Sequence, residues 1–133
     1  MSINNLGIVT GLKSELKTLS DLNLTSLSGY GPLNAKKAAI KLVKKKVSCL
    51  ISFGLAGSCD NSIKVGDIMI PNNIIWRNFS KNKTSEIFRG KIIAKLSNKN
   101  FHSRDLYSSK NIIYSKIKKK EISSRFNVGS VDM

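Results

Sequence analysis

The chain has 133 residues, which is enough for a single domain with a real hydrophobic core but little more. No apolar run reaches the roughly 18 residues that a membrane span needs, and the N-terminal stretch MSINNLGIVTGLKSELK lacks the basic start and apolar core of a secretion signal. Cys49 and Cys59 lie outside any metal-ligand spacing, so we expect free thiols and a cytoplasmic protein. Because no apolar run is long enough, we expect no membrane partner.

The net charge of +15 has two interpretations. One is an anionic partner such as nucleic acid. The other is composition alone, because lysine supplies 19 of the 23 basic residues, and lysine, asparagine and isoleucine, which have AT-rich codons, are all abundant. Phosphate-reading sites favour arginine, of which the chain has four, and the lysine runs at 44–46 and 118–120 contain no aromatic residues. The composition therefore argues against a nucleic-acid partner.

The first half of the chain predicts alternating strands and helices. The run 5–11 (NLGIVTG) is a short apolar segment closed by glycine, which is typical of a buried strand. The segment 32–46 is the clearest helix, since its proline suits a first turn and its alanines and leucine form one apolar face. The continuous apolar run 47–54 indicates a strand covered on both faces. A helix at 12–22 and a strand at 24–32 complete this half.

The second half is less regular. Strands are predicted at 65–71, 73–78, 111–117 and 128–133, a helix or turn at 118–126, a helix or strand at 92–96, and polar surface at 80–90. No internal repeat or linker interrupts the chain, which predicts one domain over residues 1–133. The strand–helix–strand order around a continuous apolar strand favours an α/β layer with parallel pairing.

The turn after the apolar strand, Gly54-Leu55-Ala56-Gly57-Ser58, is the most informative stretch. Small residues at the C-terminal end of a strand let a ligand approach the backbone, whose N–H groups can bind an anion or a sugar hydroxyl. The alternative is a tight turn that needs glycine dihedral angles, and spacing alone does not decide between the two. The stretch is neither a P-loop nor a GxGxxG motif.

Two further turns follow the preceding strands. The turn Ser28–Pro32 opens the clearest helix, and the turn Gly11–Glu15 places a carboxylate one turn into a helix, just past a strand end. Glu15 is there well placed to orient a water molecule. The alternative is an ordinary acidic residue that the helix dipole favours. We expect the three turns to converge at one edge of the sheet.

Four segments, LGIVTGLKSEL, SGYGPLNAKKAA, LISFGLAGSCDNSIKVGDIMIP and VGSVDM, resemble in order the landmarks of the nucleoside phosphorylase and nucleosidase superfamily. The block from Ile51 to Pro71, a glycine-rich turn followed by KVGDI, is the most specific of them. This superfamily contains the purine and uridine phosphorylases and the 5′-methylthioadenosine/S-adenosylhomocysteine nucleosidases. Within it, the sequence is most similar to the short branch of hopanoid-biosynthesis-associated nucleoside phosphorylases.

The resemblance implies a three-layer α/β/α fold with a central mixed sheet. It also implies cleavage of the N-glycosidic bond of a purine nucleoside, by phosphate in phosphorylases and by water in nucleosidases. The expected partners are a small-molecule nucleoside and further copies of the chain in a homo-oligomer. No cofactor is expected, and inorganic phosphate is a co-substrate only if the reaction is phosphorolysis.

The resemblance also assigns roles to particular residues. Glu15 matches the glutamate that positions the attacking water in the nucleosidases, which makes it the candidate catalytic residue and favours hydrolysis. The candidate substrate-binding residues are Gly11 and Leu12 beside it, Gly54, Ala56 and Gly57 in the turn that lines the sugar and the nucleophile, Leu55 where many nucleosidases carry a serine, and Asp132 and Met133.

Asp132 and Met133 match the start of a V-[DE]-M-E motif, in which the methionine packs on the sugar and the next glutamate binds the ribose hydroxyls. That glutamate and the family's downstream catalytic aspartate are absent from this sequence. We therefore expect a fold that is incomplete at its C-terminus and a chain whose activity is impaired or lost. A catalytically inactive remnant that only binds ligand is the alternative, and a basic nucleic-acid-binding domain is the third interpretation.

Overall fold

The computed structural model describes residues 5–19, 24–96 and 98–132. The chain divides into two compact units, Met1–Leu55 and Ala56–Met133. Within the described ranges, every helix is too short or too polar to cross a membrane.

The first unit is a parallel three-stranded sheet with two helices. Its elements in chain order are β1 (Leu6–Thr10), α1 (Lys13–Lys17), β2 (Thr25–Leu27), α2 (Pro32–Lys44) and β3 (Cys49–Ser52). The strand order is β2-β1-β3, and β1 runs parallel to both neighbours. Because the strands are parallel, their carboxyl ends lie at the same edge of this sheet, as the three-turn prediction requires.

Helix α2 forms where the sequence predicts it and packs against β1 and β2. Pro32 occupies its first turn, and its inward face carries Ala38 and Leu42, of which Leu42 is only 1% exposed. Burying a leucine side chain of this kind stabilises a fold by about 1.5–3 kcal/mol. Helix α1 is shorter than the predicted 12–22 segment and ends with Thr18 as its C-cap.

The expectation that the third strand is covered on both faces is wrong. Along β3 the side chains alternate between half-buried and exposed, and Leu50 is 40% exposed. The reason lies in the topology of this unit: β3 is an edge strand, and α2 packs on β1 and β2 instead. An apolar run therefore does not by itself establish two covered faces.

The described residues of the second unit form nine elements in chain order. They are β4 (Gly57–Ser58), β5 (Ile68–Met69), β6 (Asn73–Ile75), β7 (Lys81–Lys83), α3 (Glu86–Lys95), β8 (Phe101–His102), β9 (Leu106–Ser108), α4 (Lys116–Phe126) and β10 (Ser130–Asp132). Five strands form a mixed sheet in the order β4-β10-β9-β6-β7, and β5 pairs with β8 in a separate parallel ladder. The predicted α/β class with a mixed sheet is confirmed.

The core of this unit lies between the mixed sheet and α4. Its buried members are Ile75, Tyr107, Ile122, Val128 and Val131, which come from β6, β9, α4, the α4–β10 connection and β10. The Tyr107 ring lies 4.7 Å from that of Phe126, centroid to centroid, so the end of α4 is anchored on the sheet.

One strand prediction in this unit is wrong. The segment 111–117 is not a strand: residues 111–115 are irregular, and α4 begins at Lys116. The side chain of Ser115 accepts a hydrogen bond from the backbone N–H of Lys118, so this serine caps the helix and ends the extended segment. The ambiguous segment 92–96 is the end of α3, and the polar stretch 80–90 contains the exposed strand β7.

Candidate active site

Glu15 is the central candidate of the first unit, because it is buried and both of its carboxylate oxygens accept backbone N–H groups. The residue is 9% exposed and lies in the first turn of α1, directly past the end of β1. Its Oε2 accepts the backbone N–H groups of Gly11 at 3.0 Å and Leu12 at 2.9 Å. A glutamate at this helix position commonly reaches back to cap the helix start, so part of this geometry is ordinary capping.

The third donor to Glu15 comes from a different strand. The backbone N–H of Leu55, just beyond β3, donates to Oε1 at 2.9 Å across a sequence separation of 40 residues. Helix capping does not account for this bond. The backbone N–H groups of Gly11, Leu12 and Leu55 thus form an amide cradle that fixes both carboxylate oxygens between the ends of β1 and β3.

Gly54 is a glycine because the Glu15 carboxylate occupies the place of a side chain. A Cβ added to Gly54 would lie 2.7 Å from Oε1 and 2.9 Å from Cδ of Glu15, closer than carbon atoms approach such groups. The φ angle of Gly54 is not in the left-handed region, nor is that of Gly57. The alternative of a turn that needs glycine dihedral angles is therefore wrong at both positions, and close approach explains Gly54 instead.

The turn after β2 lies beside the turn after β1. The Ser28 backbone N–H donates to the carbonyl of Thr10 at 2.8 Å, and its hydroxyl donates to the same oxygen at 3.1 Å. A Cβ added to Gly11 would lie 3.9 Å from the carbonyl oxygen of Gly29. Here glycine dihedral angles are used, because Gly29 and Gly31 have φ angles of 75° and 90°. The first two predicted turns and the Gly54-Leu55 part of the third thus meet at one edge of the first unit's sheet.

The remaining candidates belong to the second unit. Gly57 on β4 pairs with Val131 of β10, and Asp132 follows in the same strand, where its carbonyl accepts the backbone N–H of Ser109 at 2.7 Å. Ala56 is exposed. The structure therefore brings Gly57 and the strand of Asp132 together, and Met133 lies outside the described residues.

Lys119 is a candidate that the sequence reasoning missed. Its ammonium group lies 3.1 Å from the position of a Cβ added to Gly57, so it covers the strand where a larger residue would have a side chain. Lys119 is half-buried, whereas Lys118 and Lys120 are exposed. The sequence signal was weak, because Lys118 and Lys119 precede the buried Ile122 by four and three residues, and both spacings lie on its face of α4.

Neither thiol is a candidate nucleophile. Burial raises the pKa of both Cys49 and Cys59, and in Cys59 this outweighs the opposing effect of the Lys119 and Arg104 charges. Both thiols are free and stay protonated at neutral pH, whereas the nucleophilic form is the thiolate. Across the part of the chain that the structure describes, no three His, Cys, Asp or Glu side chains group as metal ligands.

Comparison with known families identifies the class of the protein. A family model described as the phosphorylase superfamily matches residues 23–113. The chain belongs to the phosphorylase superfamily. A search of curated protein sequences gave no significant match.

Solved structures share the fold at low sequence identity. The 5′-methylthioadenosine/S-adenosylhomocysteine nucleosidase of Neisseria meningitidis, in complex with methylthio-immucillin-A, is 16% identical with a TM-score of 0.87 and covers 98% of this chain and 76% of its own. A mutant of the Helicobacter pylori nucleosidase with 5′-methylthioadenosine in the active site is 15% identical with a TM-score of 0.86. The match covers 97% of this chain and 74% of the nucleosidase. The futalosine hydrolase of Helicobacter pylori is 15% identical with a TM-score of 0.85, and the match covers 96% of this chain and 73% of the hydrolase. At these identities the likeness establishes the fold.

Proposed function

We propose that this chain is a nucleosidase that hydrolyses the N-glycosidic bond of a purine nucleoside. Membership of the phosphorylase superfamily and a fold shared with nucleosidases support the reaction class. The observation that carries the choice of water as nucleophile is the buried Glu15 carboxylate in its amide cradle. The same resemblance supports a homo-oligomeric cytoplasmic enzyme without a cofactor.

The amide cradle favours water over phosphate as the attacking group. Backbone N–H groups at strand ends are donors that could bind a phosphate, but here three of them already bind the carboxylate of Glu15. A second anion at the same place would meet like-charge repulsion. A neutral water molecule meets no such cost.

Glu15 keeps the capacity to orient that water. A carboxylate offers about four acceptor positions, and the three backbone donors leave one for the O–H of a water molecule. Because both oxygens are fixed, the water is held without reorganisation at the moment of attack. The water oxygen then bonds to C1′ as the bond from C1′ to the base nitrogen breaks, and the two protons of water end on the released base and on the sugar hydroxyl.

Base release from 5′-methylthioadenosine and from adenosine, each with and without phosphate, tests the proposal. We expect slow release without phosphate, in line with the impaired activity that the resemblance implies, and no stimulation when phosphate is added. Release that requires phosphate would replace hydrolysis with phosphorolysis. No release in either condition would refute the enzymatic function of this chain.

Glu15→Gln tests whether the Glu15 carboxylate orients the attacking water. A carboxamide keeps the shape of the side chain but turns an NH₂ group towards backbone donors, so it cannot accept all three bonds and a water. We expect hydrolysis to fall by at least about 100-fold, the range of a positioned acid–base group, with little change in KM. Glu121→Gln, at an exposed position of α4, is the control and should be fully active.

A further inference from the structure

A depression in the second unit lies between the turn at 62–67 and the beginning of β8. It has a volume of about 430 Å³. Six of its lining residues carry the argument: Lys64 and Lys99, the pair Asp67 and His102, and Asn100 and Phe101. None of them takes part in the Glu15 cradle.

Asp67 and His102 form a hydrogen-bonded pair in the lining of this depression. Oδ2 of Asp67 lies 2.8 Å from Nε2 of His102 and also accepts the backbone N–H of Lys64 at 2.9 Å. These bonds, the one from Lys64 first, hold the pKa of Asp67 below its usual range. The carboxylate is therefore ionised at neutral pH, and the imidazole donates its Nε2 proton to it. The negative charge of Asp67 is thus engaged by internal donors.

The rim of the depression is positively charged. Lys64 and Lys99 are both exposed, and neither ammonium group forms an ion pair within the described ranges. Asp67 is the single acid of the lining, which therefore carries two lysines and one carboxylate. The Asn100 side chain adds a neutral donor group. The net charge of +15 further raises the local concentration of anions.

Two other interpretations fit less well. A metal cation is disfavoured by the two ammonium groups, and the described residues hold no cluster of three metal-ligating side chains. A purely structural role explains the Asp67–His102 bond, which ties the 64–67 turn to β8. It does not explain why two exposed lysines line the same depression.

We propose that this depression binds a phosphate group, supplied by inorganic phosphate or by a phosphomonoester. Phosphate offers several acceptor oxygens, which match the ammonium and amide donors of the lining. Phe101 is 39% exposed and lies at the same site, so the base of a nucleoside monophosphate has an aromatic surface to contact.

The chain has one histidine, so the imidazole proton signals in an NMR spectrum report on His102 alone. The protein is titrated at fixed pH and ionic strength with inorganic phosphate, with adenosine monophosphate, with adenosine and with sodium chloride. We expect saturable shifts of the His102 signals with the two phosphate-bearing ligands only. Tighter binding of the monophosphate than of phosphate identifies the phosphomonoester as the source, and equal binding identifies free phosphate.

A pair of double variants separates this site from general charge attraction. Lys64→Gln with Lys99→Gln removes the rim charges and should weaken phosphate binding at least tenfold. Lys36→Gln with Lys37→Gln removes the same charge from exposed positions of α2 and should leave binding unchanged. Shifts that chloride reproduces, shifts that are absent, or equal losses in the two double variants would each overturn the proposal. The readout needs no catalysis, so its failure is distinct from failure of the nucleosidase.

Discussion

Glu15 and Gly54 have to be understood as a pair. The carboxylate lies against Gly54, and both of its oxygens are bound by backbone N–H groups rather than by side chains. Its position is therefore set by the main chain at two strand ends. This arrangement gives a fixed acceptor with little freedom to move.

Gly54→Ala tests how tightly that position is set. The new Cβ would lie 2.7 Å from Oε1, so the carboxylate must move and the bond from Leu55 is lost. We expect hydrolysis to fall at least tenfold and the free energy of unfolding to fall by about 1–3 kcal/mol. Base release and urea unfolding measure the two effects.

Gly90→Ala is the control for this substitution. Gly90 lies inside α3, and a Cβ there has no atom within 4 Å. Alanine in a helix interior should raise stability by about 0.5–1 kcal/mol and leave hydrolysis unchanged. If Gly54→Ala behaved in the same way, the close approach of Glu15 would not explain the glycine.

At the scale of the elements, the sequence predicts best those helices and strands whose apolar pattern is complete within one segment. β1 and α2 lie close to their predicted bounds, because their apolar runs and helical face are visible within a single segment. β9 (Leu106–Ser108) was missed, since three residues carry no periodicity and the strand forms by pairing with β6 and β10. The apolar residues Ile112 and Tyr114 make the 111–117 segment look like a strand in sequence. The prediction fails because both side chains are exposed.

The candidate site was predictable to a similar degree. Parallel pairing predicts that the turns carrying Glu15 and Gly54 share an edge, and they do. The bond from Leu55 and the lack of space at Gly54 depend on distances between residues far apart in sequence, so no local pattern contains them. Lys119 was overlooked because a run of three lysines hides which of them faces the sheet.

The connection between α4 and β10 depends on Asn127, whose φ of 53° and ψ of 47° are left-handed. Asparagine tolerates this conformation, and glycine tolerates it best, whereas a β-branched residue does not. We expect Asn127→Gly to be close to neutral and Asn127→Val to lower the free energy of unfolding by about 1–2 kcal/mol. Urea unfolding of the two variants measures the difference; equal midpoints would argue against a left-handed residue 127.

At the scale of the whole molecule, the charge is the dominant property. A net charge of +15 on 133 residues produces self-repulsion, which opposes any compact state. Two of the described ion pairs, Lys81–Asp105 and Lys83–Glu86, involve an exposed lysine and offset little of it. Stability should therefore depend on how well solvent ions screen these charges.

Raising sodium chloride from about 10 mM to about 300 mM shortens the screening length from roughly 30 Å to below 10 Å. We expect the Tm to rise by several degrees over this range. The Lys36→Gln, Lys37→Gln variant carries two fewer positive charges and should gain less. A Tm that is insensitive to salt in both proteins would show that self-repulsion does not limit stability.

The amide cradle has one more consequence, which appears when its occupant is removed. In a Glu15→Ala variant, three backbone N–H groups would still point at an empty space of carboxylate size. Formate supplied from solution fits that space, so it should restore base release in a saturable way, which is chemical rescue of the missing side chain. Glu15→Gln fills the space and should not respond to formate. A lack of rescue in the alanine variant would mean that the cradle collapses once its carboxylate is gone.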